Sequence, residues 1–333
     1  MKYLLNVIES EKMHSGSKAQ DDIRFFLKRN GVLNIYIDGE MERFEKYLFL
    51  NSLLEKKFNT VKKDDSLIVQ YPIYMGRFAT SVLKKNLRKV SATKVAFVHD
   101  VKTLRTNSSN EEIKKEIEFL SVFDIVIAHS HMMASWLKQH GLLSDIRILG
   151  PFDYVNDSPM MIPRKLRNNQ KFEVVFAGNL GKSSFLAKID PKNYQLNLYG
   201  INFSQKYKRD GIRYFGSFPP EVLPEKLEGN FGLVWDGDSI EESDQYTKYN
   251  SPHKASLYLS MGLPIIVWNN SALAEFVIQN HCGIILKDLN HLNHIIDEVS
   301  MDDYMSLASN AKKIGHQMRI GFYTSHALMR GKR

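Results

Sequence analysis

The run Tyr249-Asn250-Ser251-Pro252-His253-Lys254-Ala255-Ser256-Leu257-Tyr258-Leu259-Ser260-Met261-Gly262-Leu263-Pro264-Ile265-Ile266-Val267-Trp268 holds a complete helix-to-strand unit. Ser251 is a good N-cap and Pro252 suits the first helical position. The helix then runs to Met261, Gly262 supplies its stop, and Pro264 to Trp268 reads as a buried strand. Apolar runs of the same kind precede it at 173–176, 196–199, 212–215 and 231–235, and one follows at 283–286. Helical patterns after Asn290 finish the chain.

The first half repeats the rhythm. Strand-like runs at 3–8, 32–37, 67–71, 95–98, 125–128 and 146–149 alternate with amphipathic stretches near 19–27, 41–54, 78–87, 111–120 and 132–140. Repeated β-α units imply parallel sheets covered on both faces. The segment 150–170 breaks the alternation with Pro151, Pro159, Pro163 and the polar run Arg167–Gln170, and reads as a linker. The expectation is an α/β chain of two Rossmann-like domains, 1–158 and 171–333. A crevice between the carboxyl ends of their strands is where ligands bind in such sheets.

Composition narrows the classes. A 43% hydrophobic, 25% charged chain is neither disordered nor fibrous. Cys282 is the single cysteine, which excludes an internal disulfide and fits a reducing compartment. The short apolar start meets Glu9, Glu11 and Lys12 at once, so it reads as a strand and not a signal peptide. Ala255–Trp268 is too short and too broken by Gly262 and Pro264 to span a bilayer. The expected location is the cytoplasm. The net charge of +8 favours anionic partners, although the basic residues look scattered. Small clusters such as Lys84, Lys85, Arg88 and Lys89, and the Arg330–Arg333 tail, read first as solvated faces. A peripheral contact with a membrane surface or an acidic partner is the second reading. No aromatic-interleaved basic stripe points to nucleic acid.

Several loops after strands carry chemistry. The expected helix start at Ser251 would place orphan amides, His253 and Lys254 together, a site for phosphate. A plain capped helix with a solvated Lys254 accounts for the same residues. Phe176-Ala177-Gly178-Asn179-Leu180-Gly181-Lys182-Ser183 follows a strand, and its glycines allow close backbone approach to a diphosphate. It is not a Walker A loop, because Phe176 stands where that motif needs glycine. Asp236-Gly237-Asp238 has a metal-binding D-x-D spacing, but a glycine-centred turn explains it without a metal. In the first domain, Ser15-Gly16-Ser17-Lys18 reads as a loop facing the crevice. Asp100, after His99, could serve as a general base, though such a pair is more often a hydrogen-bonding or capping pair. His129 and His131 lack a partner at metal-ligand spacing and read as structural.

Taken in order, Phe176-Ala177-Gly178-Asn179, Leu198-Tyr199-Gly200, Tyr214-Phe215-Gly216, Phe231 to Trp235 and Tyr249 to Lys254 form a familiar series. It resembles that of GT-B glycosyltransferases, namely bacterial galactofuranosyltransferases and the transferases that add the second sugar to serine-rich-repeat adhesins. The resemblance is closest over 172–286 and looser over the first domain, where Lys18-Ala19-Gln20, Gln70-Tyr71-Pro72 and Val98-His99-Asp100-Val101 match by type and order. It implies a hexosyltransferase, with glucose favoured, moving sugar from a UDP-sugar onto a GlcNAc-bearing glycoprotein or other glycan. The second domain then holds UDP and the first presents the acceptor. Lys182 and Lys254 become diphosphate contacts and Tyr214 a nucleotide contact. Gly178, Asn179, Tyr249 and Asn250 line the same pocket, and Lys18 lies in a loop closing over the donor. No metal or other cofactor is expected, and the resemblance implies a homo-oligomer, a tetramer. Leu257 stands where many retaining relatives carry a ribose-binding glutamate, which favours inversion. The alternatives are a galactofuranosyltransferase and a non-catalytic partner subunit of a transferase complex.

Overall fold

The computed structural model describes residues 1–8, 15–106, 108–163, 166 and 170–329. Much of the polar run Arg167–Gln170 and the whole Arg330–Arg333 tail lie outside the described residues, as do Glu9, Glu11 and Lys12. The chain divides into two units, Met1–Leu149 with Thr324–Arg333, and Gly150–Tyr323.

The first unit holds strands β1 (Lys2–Ile8), β2 (Leu33–Asp38), β3 (Ser66–Tyr71), β4 (Thr93–Val98), β5 (Ile125–Ala128) and β6 (Asp145–Ile148). Its helices are α1 (Ser15–Arg29), α2 (Arg43–Phe58), α3 (Arg77–Leu87), α4 (Lys102–Arg105), α5 (Asn110–Leu120) and α6 (His131–Gln139). The strands pair in parallel in the order β2-β1-β3-β4-β5-β6. Leu67, Ile68 and Val69 on β3 and Val95 to Val98 on β4 are buried on both faces of the sheet. That is why they read as unbroken apolar runs and not as alternating ones.

The second unit repeats the plan. Its strands are β7 (Phe172–Ala177), β8 (Tyr194–Tyr199), β9 (Ile212–Tyr214), β10 (Phe231–Val234), β11 (Ile265–Trp268) and β12 (Gly283–Leu286), in the parallel order β12-β11-β10-β7-β8-β9. The helices are α7 (Leu223–Lys226), α8 (His253–Ser260), α9 (Ala274–Asn280), α10 (Leu292–Glu298), α11 (Met301–Arg319) and the start of α12 (Phe322–Met329). The strand order reverses between β7 and β10. The chain leaves β7 toward β8 on one side and returns to β10 on the other, which opens a switch point at their carboxyl ends.

Two boundaries differ from the sequence reading. The segment expected as a linker opens the second unit, and most of residues 151–160 are buried. Asn156 donates to Ser260 Oγ at 3.2 Å, Met161 N–H donates to Met261 O at 2.9 Å, and Arg319 holds the Ser158 carbonyl at 2.6 Å. Proline and polar composition marks loss of regular structure, and here the irregular backbone is largely buried and held by these hydrogen bonds. At the other end, the chain from Thr324 returns to the first unit. There Arg147 donates to the carbonyls of Ala327 and Leu328, and Asn30 to Ser325 Oγ. Among the described residues no helix is long and apolar enough to cross a membrane.

His129, directly after β5, is buried, with Nε2 2.9 Å from the Val98 carbonyl. Burial pushes its pKa down from 6.5 to about 4, against the smaller raising effect of that carbonyl. The folded value lies below the unfolded one, so the unfolded chain binds the proton first as pH falls. The stabilisation is complete above about pH 6.5 and is lost toward pH 4, at most ~3 kcal/mol. Urea midpoints at pH 7.5 and 4.5 should therefore separate more for the native chain than for His129→Gln. Parallel profiles would show that His129 is not held neutral in the fold.

Candidate functional site

The site forms where β7 and β10 part. Gly178 follows β7, and its N–H donates to Tyr199 O at 3.0 Å, while Leu180 N–H donates to Ile201 O at 3.0 Å. The loops after β7 and β8 are thereby zipped together. Gly200 has φ +137°, and a Cβ there would lie 1.7 Å from the Gly178 carbonyl oxygen, so glycine is required. Asn202, also in the left-handed region at φ 61°, donates to Asn179 Oδ1 at 3.0 Å. Gly181 N–H donates to the same oxygen at 3.1 Å. Asn179 thus braces the loop, and the turn Leu180–Lys182 carries Lys182 outward, exposed and without a salt bridge among the described residues.

Lys254 closes the other side. Its Nζ donates to Trp235 O at 3.0 Å and to Asp236 Oδ1 at 2.6 Å, both just beyond β10. The ammonium sits 4.6 Å from the centre of the Phe176 ring, a cation–π contact, and the side chain is 15% exposed. An ideal Cβ on Gly178 would be 4.0 Å from this Nζ, so the glycine keeps its backbone open beside the charge. An ammonium has three donors; two are used, leaving one for a ligand oxygen.

The helix start is one place later than expected. α8 begins at His253, with Pro252 as N-cap in extended backbone at ψ 135°, and has no side-chain cap, because proline's side chain carries no acceptor. Lys254 is therefore the second residue of the helix and not the third. His253 does not join Lys254: its ring packs on Tyr154 at 4.9 Å and Phe152 at 6.0 Å. Asn250 lies just upstream, its Oδ1 buried and accepting no hydrogen bond among the described residues. Tyr249 beside it is half-buried. Leu257 is a core residue of the second unit.

Tyr214 ends β9, 42% exposed, stacked on Phe203 at 4.2 Å and 10°, with its hydroxyl donating to Gly200 O at 3.0 Å. A flat ring fixed beside the glycine loop suits a planar base. Gly178 and Asn179 thus lie at the carboxyl end of β7, Lys254 beside the end of β10, and Tyr214 at the end of β9.

The D-x-D pair divides between separate partners. Asp236 holds Lys254, Asp238 accepts from Ser184 Oγ, and Gly237 turns between them at φ +95°. Lys18 is not in a loop: α1 begins at Ser15, and Lys18 is 10% exposed and paired with Asp22 one turn on. The i, i+4 pairing extends the helix where a loop was expected. Asp100 follows β4 and pairs with Arg105 Nη1 at 3.2 Å. Lys18 and Asp100 belong to the first unit.

Sequence reasoning missed Asp236 as the partner of Lys254, the Phe176 face and the Phe203 platform. It also missed Asn202, for which a signal existed, since asparagine tolerates left-handed backbone better than other side chains.

The family profile "Glucosyltransferase 3-like, N-terminal domain" matches residues 1–150, and "Glucosyltransferase 3-like, C-terminal domain" matches 174–331. The chain is 30% identical to the β-1,6-galactofuranosyltransferase WbbI of Escherichia coli K12, over 96% of this chain and 95% of that one. It is 24% identical to glucosyltransferase 3 of Streptococcus gordonii, over 93% and 92%. Among solved structures, Anabaena Alr3699/HepE in complex with UDP aligns with TM-score 0.63 at 16% identity, over 98% of each chain. Sucrose-phosphate synthase of Thermosynechococcus elongatus aligns with TM-score 0.61 at 12% identity, over 98% and 96%. The two parallel α/β units are those of the GT-B fold.

Proposed function

The chain belongs to the glucosyltransferase 3-like family of UDP-sugar-dependent glycosyltransferases, and from that premise we propose that it transfers glucose from UDP-glucose to a GlcNAc-bearing glycoprotein or related glycan, without a metal. The observation that carries the donor half is Lys254 Nζ, held beside the Gly178 backbone at the uncapped start of α8. Preorganised positive charge stabilises a leaving diphosphate as its charge develops. Lys254 and the helix amides take that role, Lys182 adds a second cation from the turn, and Tyr214 receives the uracil. Tyr249 and Asn250 complete the pocket, Asn250 Oδ1 accepting from the donor. In the first unit, Asp100 is the proposed base for the acceptor hydroxyl and Lys18 the proposed contact to the bound donor. A cytoplasmic homotetramer is the proposed working form, supported by the likeness to adhesin transferases. Transfer of galactofuranose is the second reading, favoured by the higher identity to WbbI.

A donor screen by UDP release decides between them. UDP-glucose, UDP-galactofuranose, UDP-galactose and UDP-N-acetylglucosamine are compared with and without a GlcNAc-bearing glycopeptide, each with and without EDTA. The expected result is release that is greatest with UDP-glucose, dependent on the glycopeptide and unchanged by EDTA. Preference for UDP-galactofuranose would replace the glucose reading. Loss with EDTA and recovery with manganese would return Asp236 and Asp238 to a metal.

A further inference from the structure

The positive charge of this chain is not scattered when it is counted along the fold. Residues 43–89, which hold α2, β3 and α3, carry eleven Lys or Arg against four Asp or Glu, a net of +7. The whole chain carries +8, so the rest of it is left with +1. The same segment displays large apolar side chains in the open. Phe44 is 71% and Tyr47 70% exposed on α2, with Leu48 beside them, and Phe78 is exposed at the start of α3. The Tyr47 and Phe78 rings stack at 5.4 Å, which joins the two helices into one surface. Phe44, Tyr47 and Leu48 are at i, i+3 and i+4, one stripe of α2. On α3, Phe78 and Lys85 are at i and i+7, so the exposed aromatic and a basic group share a face, and Arg88, just past the end of the helix, lies on the flank toward α5. Lys84 and Lys89 are paired with Glu118 and Glu55, but Lys85 and Arg88 form no salt bridge among the described residues.

We infer that the α2–α3 face of the first unit docks on an anionic lipid bilayer. Aromatic rings among lysines and arginines have the composition of an interfacial surface: the rings enter the headgroup boundary while the cations meet lipid phosphates. A second copy of the chain is the competing occupant. A two-fold contact through this face would set one basic segment against another, which repels, whereas an anionic membrane attracts the same charge. The solvent-exposed Phe44, Tyr47 and Phe78 also lie away from the buried core of the unit, so fold stability does not account for them. The inference is independent of the donor-site reading.

The test is co-sedimentation of the full chain with vesicles of phosphatidylcholine alone or mixed with phosphatidylglycerol, at low and high salt. Binding should require phosphatidylglycerol and weaken at high salt, as screening demands. Lys85→Glu with Arg88→Glu should lower it at least about 20-fold, because each basic group near an anionic surface contributes about fivefold. Phe44→Ser, Tyr47→Ser and Phe78→Ser together should lower it about tenfold or more. The melting shift given by UDP, read on the same preparations, should stay as in the native chain and shows that the variants are folded. Absence of binding to either vesicle, or equal binding to both, overturns the inference. So does a change of oligomeric state in the aromatic variant with vesicle binding unaltered, which would make the face a self-interface.

Discussion

Lys254→Ala is expected to cut UDP-sugar turnover about 30- to 1000-fold while leaving the melting temperature nearly unchanged. The range corresponds to the ~2–4 kcal/mol carried by a partly desolvated lysine–phosphate contact. Two observations bear on the size. The ammonium is fixed by the Trp235 carbonyl, the Asp236 carboxylate and the Phe176 face, so little rotamer freedom remains to be lost when a diphosphate arrives. Asp236 neutralises it meanwhile, and a diphosphate brings more negative charge to the remaining donor. Stability is another matter. The Lys254–Asp236 pair is 36% open to solvent on the carboxylate side, and solvent-screened pairs contribute about 0–1 kcal/mol. Alanine is also the better helix former at an early position of α8. Turnover and melting, measured on one preparation, separate the two. If turnover survives in a folded variant, Lys254 is a structural partner of Asp236 and the diphosphate lies elsewhere.

How much of this was legible beforehand depends on how local each cause is. Val174 to Ala177, Leu196 to Tyr199 and Ile265 to Trp268 are buried on both faces, so each announces itself as a strand from its own residues. The glycine after β7 and the lysine beside Pro252 were legible for the same reason, as loop and helix-start chemistry. The partner of Lys254 was not. Asp236 is eighteen residues away and meets it because the long loop between β10 and α8 folds back, bringing the start of the helix to the end of the strand it follows. An irregular loop path of that kind leaves no trace in spacing. Residues 150–161 misled for the opposite reason. Their composition describes a loop correctly, and nothing local says that the loop is pinned along α8 and α11. Lys18 shows a third case, in which an Asp22 one turn on extends a helix over residues that look like a loop.

Gly200→Ala and Gly178→Ala press on the same loop from its two sides, and they should fail differently. At Gly200 an alanine Cβ would stand 1.7 Å from the Gly178 carbonyl oxygen, at a left-handed φ of +137°. Backbone must move, and the zipper from Gly178 to Tyr199 and from Leu180 to Ile201 moves with it. A cost of roughly 3 kcal/mol or more follows from the overlap and the strained φ together. For a unit of this size that lowers the melting temperature by about 6–12 °C. UDP stabilisation should vanish with it, since the ligand can only protect a loop that is formed. At Gly178 the same methyl meets nothing closer than 4.0 Å, namely Lys254 Nζ and the edge of the Phe176 ring. Melting should therefore change by less than about 2 °C, an effect within ~0.5 kcal/mol. Donor affinity should nonetheless fall about tenfold or more, because the methyl fills the space beside Lys254 through which a diphosphate approaches the backbone. Thermal shift with and without UDP, on both variants, reads both quantities. An unchanged melting temperature in Gly200→Ala would mean the loops after β7 and β8 are not locked together. Native donor affinity in Gly178→Ala would move the diphosphate off this loop, whatever Lys254→Ala does.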